Sequence, residues 1–153
     1  MNKKIILLMA VLCFTGLTSR AQIQSPVKWA YAKKKVSVDT YEIILRATIQ
    51  DGWHIYAQIQ PGNSISKPTG IKFNAGDDFT LIGKAKEVGK LVRFEDPSSG
   101  LGANEYANTV DFVQMIKLNK TSVSNISGSI IFQSCTDKMC LPPDNVQFSV
   151  PLK

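Results

Sequence analysis

The chain has 153 residues, of which 44% are hydrophobic and 20% charged, and a formal net charge of +6. This composition excludes a disordered tail, a coiled coil and a collagen-like repeat, and the length suits one domain of ordinary size. Three cysteines and the basic excess both change meaning once the N-terminus is read.

The chain begins Met1-Asn2-Lys3-Lys4, continues through an apolar run from Ile5 to Leu17, and reaches Thr18-Ser19-Arg20-Ala21. A basic start, an apolar stretch and small residues at the −3 and −1 positions describe a secretory signal peptide cut after Ala21. The run is too short for a spanning helix, which needs about 20 apolar residues. A lipoprotein reading would make Cys13 the new N-terminus, but Leu12 stands where a small residue is required, and the apolar run continues past Cys13. Removing residues 1–21 takes Lys3, Lys4 and Arg20 from the charge of +6 and leaves +3. So weak a balance, with Lys33-Lys34-Lys35 its one basic run, does not argue for a nucleic-acid partner. Cys13 leaves as well. The mature chain, with no transmembrane segment, then carries Cys135 and Cys140 in an oxidising setting.

Period-two alternation, not helical spacing, dominates the mature chain. In chain order the expected strands are Val27 to Tyr31, Tyr41 to Gln50, Trp53 to Ala57, Gly70 to Phe73, Phe79 to Ile82, Val110 to Leu118, Ser129 to Phe132 and Val146 to Val150. In the second, Tyr41, Ile43, Leu45, Ala47 and Ile49 make one apolar face. Turn signals separate the pieces: Asp51-Gly52, Pro61-Gly62-Asn63, Gly76-Asp77-Asp78, Asp96 to Gly100 and Pro142-Pro143-Asp144. Eight or nine short half-buried strands must close against a second layer, so the expected fold is all-β: an antiparallel sandwich in a single domain over residues 22–153, with a closed barrel as the alternative. The Gly-, Ser- and acid-rich segment Phe94 to Asn104 reads as a long surface loop. Asn119-Lys120-Thr121 and Asn125-Ile126-Ser127 match the glycosylation sequon, which carries meaning only on a eukaryotic secretory route.

The strongest local feature is Ser134-Cys135-Thr136-Asp137-Lys138-Met139-Cys140-Leu141-Pro142-Pro143, directly after an expected strand. A lone cysteine pair in an exported domain is commonly a structural disulfide. On the chain-entropy model, however, closing a loop of about six residues contributes roughly 2 kcal/mol, against about 4.7 for about 100 residues. A bond this local braces little, and its sulfurs suit thiol exchange better. Lys138 beside the pair favours the thiolate. Pro142 and Pro143 cannot donate to a ladder and hold the loop away from regular pairing. One histidine and two mature cysteines fall short of a closed zinc site, so no metal or other cofactor is expected.

The second feature is Asp51-Gly52-Trp53-His54-Ile55-Tyr56. The plain reading is a turn with Trp53 packed in the core and His54 partly exposed. The functional reading sets His54 and Tyr56 beside the disulfide as hydrogen-bonding or proton-handling groups.

Together, the Asp-Gly-aromatic turn at Asp51 to Tyr56 and the Cys135 to Pro143 stretch resemble the periplasmic N-terminal (alpha) domain of the thiol-disulfide interchange protein DsbD, over about Pro26 to Leu152. The resemblance implies an immunoglobulin-like sandwich and protein-disulfide reductase chemistry in the periplasm with no cofactor beyond the disulfide. It implies that Cys140 forms the mixed disulfide with partners and that Cys135 resolves it. It matches Tyr56 to a site-lining aromatic and His54 to a place where the family has Tyr. It also places Phe94, with Glu95 and Asp96, in a cap over the disulfide. The implied partners are exported thioredoxin-like proteins. Because the sequence ends at Lys153, the membrane electron donor is expected to be a separate protein. The family's better-known members carry one more residue between the cysteines. Without the relay, the same features describe a non-catalytic immunoglobulin-like binding module with a structural disulfide.

Overall fold

The computed structural model describes residues 25–153, so the signal-peptide reading of residues 1–21 lies outside the described part. Among the described residues there are nine strands and no helix: β1 (Val27–Lys35), β2 (Thr40–Ile49), β3 (His54–Tyr56), β4 (Gly70–Phe73), β5 (Phe79–Glu95), β6 (Gly102–Leu118), β7 (Asn125–Phe132), β8 (Ser134–Cys135) and β9 (Asp144–Pro151). All pairings are antiparallel. One sheet runs β1-β2-β6-β3-β8 with β5 also on β6, and the other runs β4-β7-β9. The architecture is an open, immunoglobulin-like antiparallel sandwich and not a closed barrel.

The alternation read from the sequence decides which face turns inward. Ile43, Leu45 and Ala47 of β2 and Val110, Phe112 and Ile116 of β6 are fully buried. They meet Ile126, Ile130 and Phe132 of β7 and Phe148 and Val150 of β9 in one core. Burying each such aliphatic or aromatic side chain contributes about 1.5–3 kcal/mol. Trp29 of β1 packs against Phe112 and Phe132 at ring-centroid distances of 5.9 and 5.3 Å. Gln114 is the polar exception on the inner face of β6. Its amide donates to the carbonyls of Ile82, Gly83 and Met115, which covers the point where β5 breaks register.

Two expectations need correction. The strands are not all short: β5 and β6 each have 17 residues. The segment Phe94 to Asn104 is not a long loop but the end of a hairpin, because β5 and β6 stay paired out to Glu95 and Gly102. Only residues 96–101 lie outside the ladder. The tip closes through Asp96 N–H to the Leu101 carbonyl at 2.8 Å and Gly100 N–H to the Asp96 carbonyl at 2.7 Å. Its polar residues serve this turn, which is why the composition reads as loop.

The length of β6 is what assembles the site. Its C-terminal half pairs with β2, from Thr109 to Lys117, and its N-terminal part pairs with β3 at Glu105 and Tyr106. β3 in turn pairs with β8 through His54 opposite Cys135. The cysteine, the aromatic turn and the hairpin, separated in sequence, therefore share one end of the larger sheet.

Candidate functional site

The turn into β3 is set by Asp51-Gly52. Gly52 has φ +78°, a left-handed conformation that glycine adopts at no steric cost, and Trp53 N–H closes the turn on the Gln50 carbonyl at 3.0 Å. In β3, Ile55 is fully buried in the core, so His54 and Tyr56 face away from it. A one-residue slip would expose Ile55, at about 2 kcal/mol, and drive the imidazole into apolar packing.

The outward face carries the chemistry. Cys135 stands opposite His54, and Glu105 stands opposite Tyr56. Cys135 and Cys140 form a disulfide with Cα atoms 4.0 Å apart. The residues between them make a tight turn fastened by Thr136. Its N–H donates to the Met139 carbonyl at 2.8 Å, and its hydroxyl accepts from the N–H groups of Lys138 and Met139 at 3.2 and 3.1 Å. Beyond Cys140, Leu141 N–H returns to the Ser134 carbonyl at 2.9 Å.

The two sulfurs have unequal surroundings. Cys135 is 1% exposed and packs with Tyr56 and Ala103, whereas Cys140 is exposed. The Tyr56 hydroxyl donates to Cys135 Sγ at 3.2 Å and lies 3.8 Å from Cys140 Sγ. His54 packs edge-on against Tyr56 with ring centroids 5.5 Å apart, and its Nε2 lies 3.3 Å from Glu105 Oε2. Burial pushes the Glu105 carboxyl above the ordinary carboxylate range. His54 pulls it back and Asp137 pushes it up again.

A cavity of about 300 Å³ opens beside this cluster. His54, Tyr56 and Glu105 line one side, Phe94, Asp96 and Leu101 of the hairpin another, and Asp137 of the cysteine turn a third. The hairpin is tied down at its root. The Gln60 side chain accepts from Asn104 N–H at 3.0 Å and donates to the Asn104 carbonyl at 2.7 Å, and Asn63 donates to the Gly100 carbonyl at 2.6 Å. Asp96 is engaged within the tip, accepting from Ser98 N–H, Ser98 Oγ and Ser99 Oγ at 2.7–2.9 Å, and the Ser98 N–H and the two hydroxyls hold its carboxyl below the usual range.

Of the residues singled out in the sequence, Cys135, Cys140, His54 and Tyr56 come together, and Phe94 and Asp96 line the adjoining cavity. Phe94 is 54% exposed at its mouth. Glu95 is exposed and does not line the cavity, as expected for the residue next to Phe94 on a strand. Lys138 is exposed on the cysteine turn. Glu105 and Asp137 escaped the sequence reading. Asp137 sits within the cysteine turn and could have been noted there. Glu105 has no local signal, since its partnership depends on the β3–β6 register. Among the described residues no group of three or more His, Cys, Asp or Glu side chains is placed to hold a metal ion. No helix among them is long and apolar enough to cross a membrane.

Fold and site together define a β-sandwich with a short-loop disulfide set at one end between a sheet edge and a hairpin. Residues 21–152 match the family model of the thiol:disulfide interchange protein DsbD, N-terminal, and the chain belongs to that family. Among solved structures it is similar to the reduced N-terminal domain of DsbD from Neisseria meningitidis, with 18% identity and a TM-score of 0.54 over 84% of this chain and 90% of that one. It is also similar to the N-terminal periplasmic domain of ScsB from Proteus mirabilis (15% identity, TM-score 0.59), covering 87% of this chain but 49% of that one. A third similar structure is the complex between the DsbD N-terminal and PilB N-terminal domains from Neisseria meningitidis (17% identity, TM-score 0.51), covering 84% of this chain and 87% of that one. Among curated proteins no sequence match was found.

Proposed function

We propose that the domain carries out thiol-disulfide interchange in the periplasm, after removal of residues 1–21, and relays electrons through Cys135 and Cys140 between thioredoxin-like partners. A membrane protein supplies the electrons. The observation that carries this reading is the asymmetry of the pair within a family of thiol:disulfide interchange domains. Cys140 is open to an incoming thiolate, and Cys135 is buried against a hydroxyl donor.

In the reductive direction a partner thiolate attacks Cys140 Sγ. A partner–Cys140 bond forms, the Cys135–Cys140 bond breaks, and Cys135 leaves as a thiolate. The hydroxyl of Tyr56 is already aimed at the sulfur on which that charge develops, so it stabilises the departing group more than the resting disulfide. A second partner thiolate then releases the first partner as its disulfide, with Cys140 leaving. The domain now holds two thiols and can reduce an exported acceptor by the reverse steps. Phe94, at the cavity mouth, and Asp96, in the turn of the same hairpin, flank the site on the side of Tyr56 and limit the approach of adventitious oxidants from there, while Cys140 stays open to a partner. A complex between a similar domain and another protein's N-terminal domain supports a protein partner for this one.

The test is the reduction potential, measured by equilibrating the purified domain with a thioredoxin-like protein of known potential. A value within the range of thioredoxin-like couples, about −120 to −270 mV, supports the relay. A value far below about −300 mV marks a structural disulfide and contradicts it.

A further inference from the structure

The pair formed by Glu105 and His54 gives the site a second layer, and an inference from it rests on the exchange reading above. We propose that Glu105 is a positioning residue for the exchange reaction: it holds the His54 imidazole against Tyr56, whose hydroxyl donates to Cys135, so that the Glu105–His54 pair governs how readily the Cys135 thiolate forms.

The placement comes from the ladder. His54 lies directly across from Cys135, and Glu105 lies across from Tyr56, one strand further away. His54, Tyr56 and Glu105 line the same cavity, on the side of β3 away from the core. His54 Nε2 lies 3.3 Å from Glu105 Oε2, with both side chains largely shielded from water, while the ring rests edge-on against Tyr56. Tyr56 in turn donates to Cys135 Sγ.

The charges around His54 come from several elements. Glu105 of β6, Asp137 of the cysteine turn and Asp96 of the hairpin tip line the cavity with it. Asp96 is taken up by its own serines. Among the described residues lining the cavity, His54 is the only basic one. When Cys135 carries a thiolate, the Tyr56 hydroxyl donates to it, and His54 is the basic side chain packed against that tyrosine. Glu105 is the group that keeps the ring in place.

The step this device serves is resolution of the mixed disulfide. A partner sulfur sits on Cys140, the Cys135 thiolate attacks Cys140 Sγ, the Cys135–Cys140 bond forms, and the partner leaves as its thiolate. Its rate depends on the fraction of Cys135 present as thiolate.

The reduced domain can be mixed with 5,5′-dithiobis(2-nitrobenzoate), and the release of coloured aryl thiolate monitored by stopped flow across pH 5–9. Cys140 attack releases one aryl thiolate, and Cys135 resolution releases a second. In total the two domain thiols are oxidised, one reagent disulfide becomes two thiolates, and two protons pass to solvent. In Glu105→Gln the second phase is expected to slow about tenfold at pH 7, with its half-maximal pH raised by about one unit, while the first phase changes little. His54→Gln is expected to slow the second phase at least as much. The double variant should be no slower than His54→Gln, because the two residues act as one unit. A second-phase pH profile in Glu105→Gln that superimposes on that of the parent, or independent losses that multiply in the double variant, overturns the proposal. Should Glu105→Gln fail to fold, Glu105→Asp carries the decision: it keeps the carboxylate but shortens its reach to His54, and a second-phase pH profile that superimposes on that of the parent overturns the proposal. Release of only one aryl thiolate by the parent domain is a different failure, since it removes the exchange reading itself.

Discussion

The hydroxyl of Tyr56 donates a hydrogen bond to the buried sulfur of Cys135 at 3.2 Å, across 79 residues of sequence. A hydroxyl on a disulfide sulfur is a weak contact, but on the thiolate that replaces it the bond is charge-assisted and worth about 1.5–3 kcal/mol. Tyr56→Phe is therefore expected to slow reduction of the disulfide by dithiothreitol by about tenfold or more, while shifting the thermal midpoint little. An unchanged rate of reduction would show that the hydroxyl is only a packing partner.

The disulfide itself is expected to brace the fold weakly. It joins residues five apart in sequence. Reducing it should cost about 2 kcal/mol of unfolding free energy on the chain-entropy model. Denaturant titration with and without reductant measures this. A loss of twice that size, with no exchange with any thioredoxin-like protein, would favour a structural disulfide in a binding module.

Phe94 is 54% exposed at the mouth of the site cavity, and Met139 beside Cys140 is 50% exposed. If Phe94 screens the disulfide, Phe94→Ala should accelerate its reduction by a small thiol such as dithiothreitol several-fold. A rate equal to that of the parent would remove Phe94 from the cap. The hairpin root stays tied through Gln60 and Asn104 in either case.

Gly128 is a position of close approach. A Cβ built there would lie 2.2 Å from the Lys72 carbonyl oxygen and 2.5 Å from Phe148 Cζ. β4 and the Phe148 ring press on β7 at this point, and the carbonyl belongs to backbone that cannot swing aside. Gly128→Ala should destabilise the domain by roughly 1–3 kcal/mol, seen as a lower urea midpoint with an unchanged slope. The disulfide chemistry, at one end of the other, larger sheet, should survive in the folded fraction.

Arg46 of β2 and Asp111 of β6 are cross-strand partners joined by two hydrogen bonds of 2.7 Å. The guanidinium holds the Asp111 carboxyl below its usual range, despite partial burial that opposes this. A carboxyl whose pKa is lowered on folding stabilises the native state above its unfolded pKa, and that contribution is lost as pH falls through the folded value. Asp111→Asn should lower the denaturation midpoint at pH 7 and converge with the parent near pH 2. A constant offset at both pH values would mean that charge is not the cause.

Much of this arrangement is legible in the sequence because burial writes it there. β2, β9 and the second half of β6 alternate between buried and more exposed positions, and apart from Gln114 their buried positions are apolar and make the core. β5 is different. It pairs only with β6, its residues beyond Phe79 are mostly exposed, and its register shifts between Ile82 and Lys86 and again between Gly89 and Leu91. With no buried face and two irregularities, no period survives along it, and its first four residues alone read as a strand. The same loss turned the hairpin into an apparent loop. At the site, Cys135, Cys140, His54 and Tyr56 stand out as residue types in local motifs. Glu105 does not, because its role comes from one register pair, Tyr56 opposite Glu105, that no local pattern encodes.

Partners are expected to attack Cys140, with Cys135 the sulfur that resolves the mixed disulfide. Trapping measures it directly: Cys135→Ala and Cys140→Ala variants of the mature domain are each incubated with a thioredoxin-like protein that lacks its own resolving cysteine and whose remaining thiol has been activated as an aryl mixed disulfide. A stable covalent complex is expected with Cys135→Ala, through the exposed Cys140, and little or none with Cys140→Ala. Capture only by Cys140→Ala would reverse the roles, and capture by neither would contradict the exchange function.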